Sequence, residues 1–356
     1  MSKPRLIAFY LPQFYPTKEN DEWWRKGFTE WTNVGNARPL FKGHYQPRVP
    51  ADLGYYDLRV PEVREEQTQL AREAGIEGFC YWHYWFAGRR LLDRVFKEVV
   101  ESGKPNFPFC LCWANHSWYQ KTWDPTKPDK LLIEQTYPGV QDYINHFYAM
   151  LPAFKDNRYM KVDGRPIFGL FDSYGFVDFP LFKETWNNLA EKNGLETFYF
   201  FGFTFKTGSS NDILNKGYDA IVPDYIMNFG SEETSLFERI RRKLLHYPKI
   251  LHYDDYCHYF LSHFSLSDNC HPCINPNFDH SPRSKERGIV ISDHSPEKWK
   301  KLCSNVFSLC STRERECNLV FLKAWNEWGE GNYMEPDLKY GKGFIESTRM
   351  AYDGVK

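Results

Sequence analysis

Short, almost wholly apolar runs alternate along the chain with stretches in which apolar residues recur every three or four positions. The first kind reads as strand, at residues 6–11, 79–84, 109–113, 166–171, 198–203, 220–223 and 319–324, with a weaker seventh strand near 272–275. The second kind reads as helix. Residues 62–74 carry Val63, Leu70, Ala71 and Ala74 on one face, with Pro61 at the start and Gly75 after the end. Leu92, Val95, Phe96, Val99 and Val100 stripe a helix before Gly103, and Ile144, Phe147, Tyr148 and Leu151 the next. Leu181, Phe182, Trp186 and Leu189 then stripe a fourth helix before Gly194, and Trp299, Leu302, Cys303, Val306, Phe307 and Cys310 the best-defined one.

Strands that are apolar along their whole length are buried on both faces, as parallel strands are. Eight of them, most followed by helices, predict an α/β protein of the (β/α)8 barrel type. An open nucleotide-binding sheet fits less well, because no glycine-rich loop follows the first strand. The expected organisation is one domain over residues 1–356, with long insertions near 14–60, 114–142 and 226–270. In barrels such insertions wall the catalytic face.

Composition narrows the function. A net charge of −1 gives no basic surplus for nucleic acid, which is not an expected partner. Aromatic residues make up 18% of the chain, with 12 Trp, 23 Tyr and 29 Phe. Most must be core, but ring faces also suit the C–H faces of sugars, so the count favours an oligo- or polysaccharide partner. Nine cysteines without framework spacing read as buried thiols in a reducing compartment. The apolar start, residues 5–11, stops at Pro12-Gln13 with no cleavage site, and no run approaches the roughly 18 apolar residues of a membrane span. The expected location is cytoplasmic.

The sharpest chemical signal is Lys323-Ala324-Trp325-Asn326-Glu327-Trp328-Gly329-Glu330-Gly331, leading to Glu335-Pro336. It follows the eighth strand, where barrel enzymes place catalytic groups. Glycosidic chemistry needs two carboxyl groups, one to protonate the leaving oxygen and one to act as base or nucleophile. Tryptophan neighbours would desolvate a carboxyl and raise its pKa. Glu327 and Glu330 are therefore the candidate catalytic pair; the bland alternative is a solvated loop whose acids cap the next helix. Other strand ends supply candidate substrate contacts: Tyr10 and Gln13, His83 and Tyr84, Trp113, Asn115 and His116, Asp172, Asp224, then Asp279 and Arg283 near the seventh strand. No cofactor or metal is expected. Cys270-His271-Pro272-Cys273 has zinc or redox spacing but no second pair to complete a site. Arg239-Ile240-Arg241-Arg242-Lys243-Leu244-Leu245 reads as a solvated basic helix face, with contact to an anionic membrane surface or glycan carrier as the alternative.

Several of these stretches resemble a known family. Phe9-Tyr10-Leu11-Pro12-Gln13-Phe14, Gly27-Phe28-Thr29-Glu30-Trp31, Gly43-His44-Tyr45-Gln46-Pro47, Asp52-Leu53-Gly54-Tyr55-Tyr56-Asp57 and the Trp325–Gly331 motif are similar to the WbsX-type proteins of bacterial polysaccharide clusters. Trp31, His44, Trp325, Asn326, Trp328 and Glu335 join the candidate substrate contacts from these motifs. The family in turn resembles glycoside hydrolase family 99, the endo-α-mannosidases and endo-α-mannanases, which carry a similar Asn-Glu-Trp-x-Glu-Gly. That resemblance implies a metal-free retaining mechanism in which the sugar 2-hydroxyl, deprotonated by Glu327, attacks the anomeric carbon to give an epoxide-like intermediate. Glu330 would serve the leaving group and then the acceptor. His116 stands where WbsX-type sequences often carry Glu, a departure that bears on which sugar is bound. The expected activity is thus a retaining glycoside hydrolase on an α-mannoside-like bacterial polysaccharide. The alternatives are a cytoplasmic glycosyltransferase or transglycosylase in O-antigen, capsule or lipopolysaccharide assembly, and a non-catalytic glycan-binding barrel.

Overall fold

Segments apolar on both faces must be covered on both, which sets the architecture. A computed structural model of the chain describes residues 2–121, 128–205, 210–231, 240, 242 and 244–355. Its barrel strands are β1 (Arg5–Tyr10), β2 (Gly78–Phe86), β3 (Phe109–Trp113), β4 (Arg165–Leu170), β5 (Tyr199–Thr204), β6 (Ala220–Pro223), β7 (Cys273–Ile274) and β8 (Leu319–Leu322). All pair in parallel, in the order β6-β5-β4-β3-β2-β1-β8-β7. The last seam is bridged at Ile221, which donates to Asn269 O at 2.8 Å and accepts from His271 N–H at 2.9 Å. The fold is a (β/α)8 barrel, as the sequence predicts.

The helices are α1 (Pro61–Glu73), α2 (Arg94–Ser102), α3 (Val140–Phe154), α4 (Phe179–Lys192), α5 (Ser210–Leu214), α6 (Tyr253–His263), α7 (Pro296–Cys310) and α8 (Gly343–Asp353). Helix α7 starts as its sequence requires: Pro296 follows Ser295, whose Oγ accepts from Lys298 N–H at 3.3 Å, and the predicted stripe is wholly buried. Helix α3 is turned slightly from expectation. Tyr143, His146, Phe147 and Met150 face inward while Tyr148 is exposed, because His146 packs as a core ring, parallel to Trp85 at 4.6 Å.

Inside the barrel the odd-numbered side chain of β1 meets the even-numbered side chain of β2. Phe9 stacks on Trp82 at 4.8 Å and approaches Phe203 and Phe321 at 5.1 and 5.3 Å. This aromatic layer closes the interior beneath the mouth.

Two of the three long insertions wall that mouth. Residues 14–60 carry the short helices Lys18–Trp23 and Glu30–Asn36, and residues 114–142 carry an antiparallel ribbon of Trp118–Gln120 with Lys130–Ile133. The described part of the third carries a strand and helix α6. Its strand Lys249–His252 pairs with Ile289–Ser292, which pairs with Phe278–Asp279, forming a small side sheet. Of the basic segment, Arg239, Arg241 and Lys243 lie outside the described residues. Cys270 and Cys273 are buried in the wall at β7, where a spacing of three along extended chain sends side chains to opposite faces. Burial pushes the Cys270 thiol up to about 12. Among the described residues, no helix is long and apolar enough to cross a membrane.

Candidate active site

A cavity of about 630 Å³ opens above the aromatic layer, with Glu327 and Glu330 both on its wall. The turn that presents them is pinned from behind. Asn326 accepts from Leu11 N–H at 2.7 Å and donates to Leu11 O at 3.0 Å, tying the end of β8 to that of β1. Asn115 does the same between β3 and β4, accepting from Asp172 N–H at 2.8 Å and donating to Asp172 O at 3.1 Å. Each asparagine precedes a residue that faces the cavity, Glu327 and His116 respectively.

The two carboxyl groups stand on the same cavity wall, near enough for each to act on the other's ionisation. Trp82 Nε1–H donates to Glu327 Oε1 at 2.7 Å, and the Arg283 guanidinium donates to Glu330 Oε1. These partners separate the pair electrostatically. Burial, then the charge of Glu330, pushes the Glu327 carboxyl well above the carboxylate range. Burial also acts upward on Glu330, but Arg283, Lys323 and His280 together outweigh it and hold Glu330 low. Like charges side by side oppose each other's ionisation, and with these partners the effect is upward at Glu327 and downward at Glu330.

Of the candidate substrate contacts, Gln13, Tyr84, His116 and Arg283 line the cavity with the two acids. His116 stands near Phe171, its ring centroid 4.9 Å away, and its Nδ1 is buried without a partner. The others are turned away. Tyr10 donates to Gln67 Oε1 at 2.7 Å outside the barrel wall, and His83 meets His146 at 2.7 Å under α3. Trp113 packs against α3 and α4, with its Nε1–H on Trp85 O at 3.1 Å. Asn115 and Asn326 are clamps, and Asp172 closes its own loop by accepting from Gly175 N–H at 2.7 Å. Asp224 supports the site indirectly, at 2.7 Å from Lys323 Nζ.

Behind the mouth, Asp279 accepts from His44 Nε2 at 2.8 Å and from Gln46 Nε2 at 2.6 Å, locking the 14–60 insertion to the segment carrying Arg283. Trp31 donates to Tyr56 O at 2.7 Å, also behind the wall. Trp325 is fully buried against Phe79. Trp328 stacks on Tyr333 at 3.7 Å and donates to Glu335 Oε2 at 2.6 Å. Glu335 also accepts from Gln67 at 2.6 Å and Tyr56 at 2.8 Å, so this third acid of the motif is an internal anchor, its pKa pushed up to about 7 by burial.

Among the cavity residues that escape a reading by residue type at strand ends are Trp82, Lys323, Glu30 and His280. Trp82 and Tyr84 share one face of β2, so the strand's two-residue period was a usable signal for the first. Glu30 lies in the Gly-Phe-Thr-Glu-Trp stretch of the first insertion, and no local pattern foretells that this stretch folds over the mouth.

Two glycines of the motif are needed where they stand. Gly331 has φ +54°, and a Cβ there would lie 2.8 Å from Asp279 Cβ. A Cβ on Gly329 would lie 1.9 Å from Glu30 Oε2. Gly329→Ala is expected to push Glu30 and Arg283 off the acid pair, lowering turnover about 10²-fold. Its cost in stability should be the roughly 1–3 kcal/mol of local overpacking. Parallel kinetics and thermal melts check this; unchanged turnover would contradict it.

Comparison with known proteins adds a lineage to this geometry. The family model described as "Glycosyltransferase WbsX" matches residues 6–348. Two curated relatives, each described as "Uncharacterized protein WxcX" and from two strains of Xanthomonas campestris pv. campestris, are 34% identical over 352 residues. That alignment covers 97% of this chain and 49% of theirs, so the chain spans about half the length of these relatives. A solved structure described as a glycoside hydrolase-like protein superposes with a TM-score of 0.66 at 13% identity, covering 99% of this chain and 94% of the other. The GH99 endo-alpha-mannosidase from Bacteroides thetaiotaomicron superposes with a TM-score of 0.56 at 13% identity, covering 98% and 96%. At such identities the likeness is one of fold.

Proposed function

Because the chain belongs to the family described as glycosyltransferase WbsX, we propose that Glu327 and Glu330 act together on one glycosidic bond of an oligo- or polysaccharide held in the barrel mouth. The observation that carries this reading is the presence of both carboxyl groups on the wall of one cavity lined by Trp82, Tyr84, Trp118 and Phe171.

The family resemblance favours one chemistry, in which two neighbouring acids serve vicinal oxygens, the 2-hydroxyl and the glycosidic oxygen of one sugar. One carboxylate removes the 2-hydroxyl proton and O2 bonds to the anomeric carbon. The bond to the leaving oxygen breaks as the other acid gives it a proton. The acceptor hydroxyl then loses its proton to that second group and attacks the anomeric carbon from the face the leaving group quit, the bond from that carbon to O2 breaks, and the first group returns its proton to O2, with overall retention. With water as acceptor the reaction is hydrolysis, and with a sugar hydroxyl it is transfer. The family resemblance gives the base role to Glu327 and the acid/base role to Glu330 on an α-mannoside-like substrate. The upward direction at Glu327 and the downward one at Glu330 suit the reverse assignment, and the two single variants distinguish the orders.

Transfer has its own support in the family description and in the rim, where Trp24 is 42% and Tyr119 46% exposed. Such faces can seat an acceptor sugar ring.

Purified protein incubated with α-mannoside and polysaccharide panels, with and without nucleotide sugars, tests the reading. New reducing ends mark hydrolysis, chain-lengthened products mark transfer, nucleotide release marks a nucleotide-sugar enzyme, and binding without turnover rejects catalysis. The pH profile of kcat/KM should be bell-shaped. Its alkaline limb should fall well above the carboxylate range, where Glu327 loses its proton, and its acid limb below, where Glu330 gains one. A flat profile between about pH 5 and 10 would contradict the opposed shifts of the pair.

A further inference from the structure

Arg283 does not serve Glu330 alone. Its Nη1 edge meets Glu330, while Nη2 stands 3.0 Å from Glu30 Oε2 and Nε donates to the same oxygen at 3.3 Å. One guanidinium therefore joins a carboxylate of the first insertion to one of the motif, using its planar set of donors on two sides. Glu30 opens the helix Glu30–Asn36, and its side chain is 4% exposed with its carboxylate turned to Arg283. The bare Cα of Gly329 leaves the space its carboxylate occupies. The arrangement is a built one: three segments far apart in sequence meet at a single charge.

We propose that Glu30 is a positioning residue, holding Arg283 in place while Glu330 gains and loses its proton. This inference rests on the reading of Glu327 and Glu330 as a working pair. If Glu330 were the only anion beside Arg283, the guanidinium would follow its charge and move when that charge is lost. Glu30 gives the guanidinium a second carboxylate partner, whose negative charge opposes complete ionisation of the pair. Among the described residues, the other charged and titratable groups facing the pair are Lys323 with its partner Asp224, His280, Tyr84 and Cys273.

Glu30→Gln keeps the shape and an acceptor oxygen but removes the charge. The variant should lose about 10²-fold in kcat with KM little changed, as reacting groups drift from register. Removing a negative charge favours ionisation, so both limbs of the pH profile should move to lower pH, by about one unit. Glu30→Asp, which restores the charge, should return the limbs toward their wild-type positions with partial recovery of kcat. An infrared pH titration of the carboxyl bands of wild type and Glu30→Gln follows the pair without any substrate. A shift toward lower pH in that titration supports the inference even if no glycoside is turned over, in which case only the reaction assigned to the pair fails. Identical titrations of the two proteins, or a rate loss matched by loss of folded protein in both Glu30 variants, would overturn it.

Discussion

Glu330→Gln is expected to lower kcat/KM by about 10³-fold, with Glu327→Gln showing a loss of similar size. Each amide keeps the volume and some of the hydrogen bonds of the acid, so Trp82 and Arg283 retain an acceptor oxygen. What the proposed reaction would lose is a carboxyl group able to take or give the proton at the 2-hydroxyl or the leaving oxygen. A factor of 10³ corresponds to about 4 kcal/mol of barrier, within the range of a positioned acid or base. The double variant should be little worse than either single one, because groups that act as a unit are not additive. The two single variants also decide the order of roles. The one that replaces the general acid should recover activity on substrates with leaving groups that need no protonation, such as aryl glycosides. Full activity of Glu330→Gln on every substrate would end the assignment.

Asp279→Ala should produce the largest loss of stability in the mouth, about 3–5 kcal/mol. Asp279 is fully buried and accepts from His44, Gln46 and the Ser281 N–H, with Arg48 Nη2 at 3.8 Å. Removing it strands these donors and leaves a buried guanidinium short of its counter-charge. Burial would push the Asp279 carboxyl up, but His44 and Arg48 outweigh it and hold it well below the usual range. A depressed folded pKa adds stability that is present above the unfolded value of about 3.9 and lost as pH falls through the folded one. Wild type should therefore lose stability on acidification more steeply than Asp279→Ala. Chemical denaturation at neutral and acid pH checks both statements, and a variant within about 0.5 kcal/mol of wild type would refute the anchor.

The contrast between these residues shows what the sequence could reveal. Barrel strands were legible because they are apolar throughout, and the acid pair because Trp325–Gly331 follows the last of them. The substrate contacts were read by residue type at strand ends, and there the two-residue period decides. Gln13 shares the inward parity of Phe9 and Leu11, whereas Tyr10 faces Gln67. Tyr84 shares that of Trp82, whereas His83 turns to His146. His116 shares that of Ala114, whereas Trp113 and Asn115 turn outward. Parity along β1, β2 and β3 would have sorted these from the sequence. It could not place Glu30, Asp279 or His280, whose positions depend on how two insertions dock. Nor could it foresee the side sheet, whose strands span four residues or fewer. The weakest predicted strand, β7, is also the shortest in the barrel, at two residues.

The most direct test of the central claim is a crystal structure of Glu330→Gln soaked with an oligosaccharide that the wild type converts. The account predicts one sugar ring seated over Trp82 and Phe171. Its glycosidic oxygen and 2-hydroxyl should lie within hydrogen-bond reach of Glu327 and of the amide that replaces the Glu330 carboxyl, one to each. A saccharide bound elsewhere on the barrel, with Glu327 touching no sugar oxygen, would contradict it.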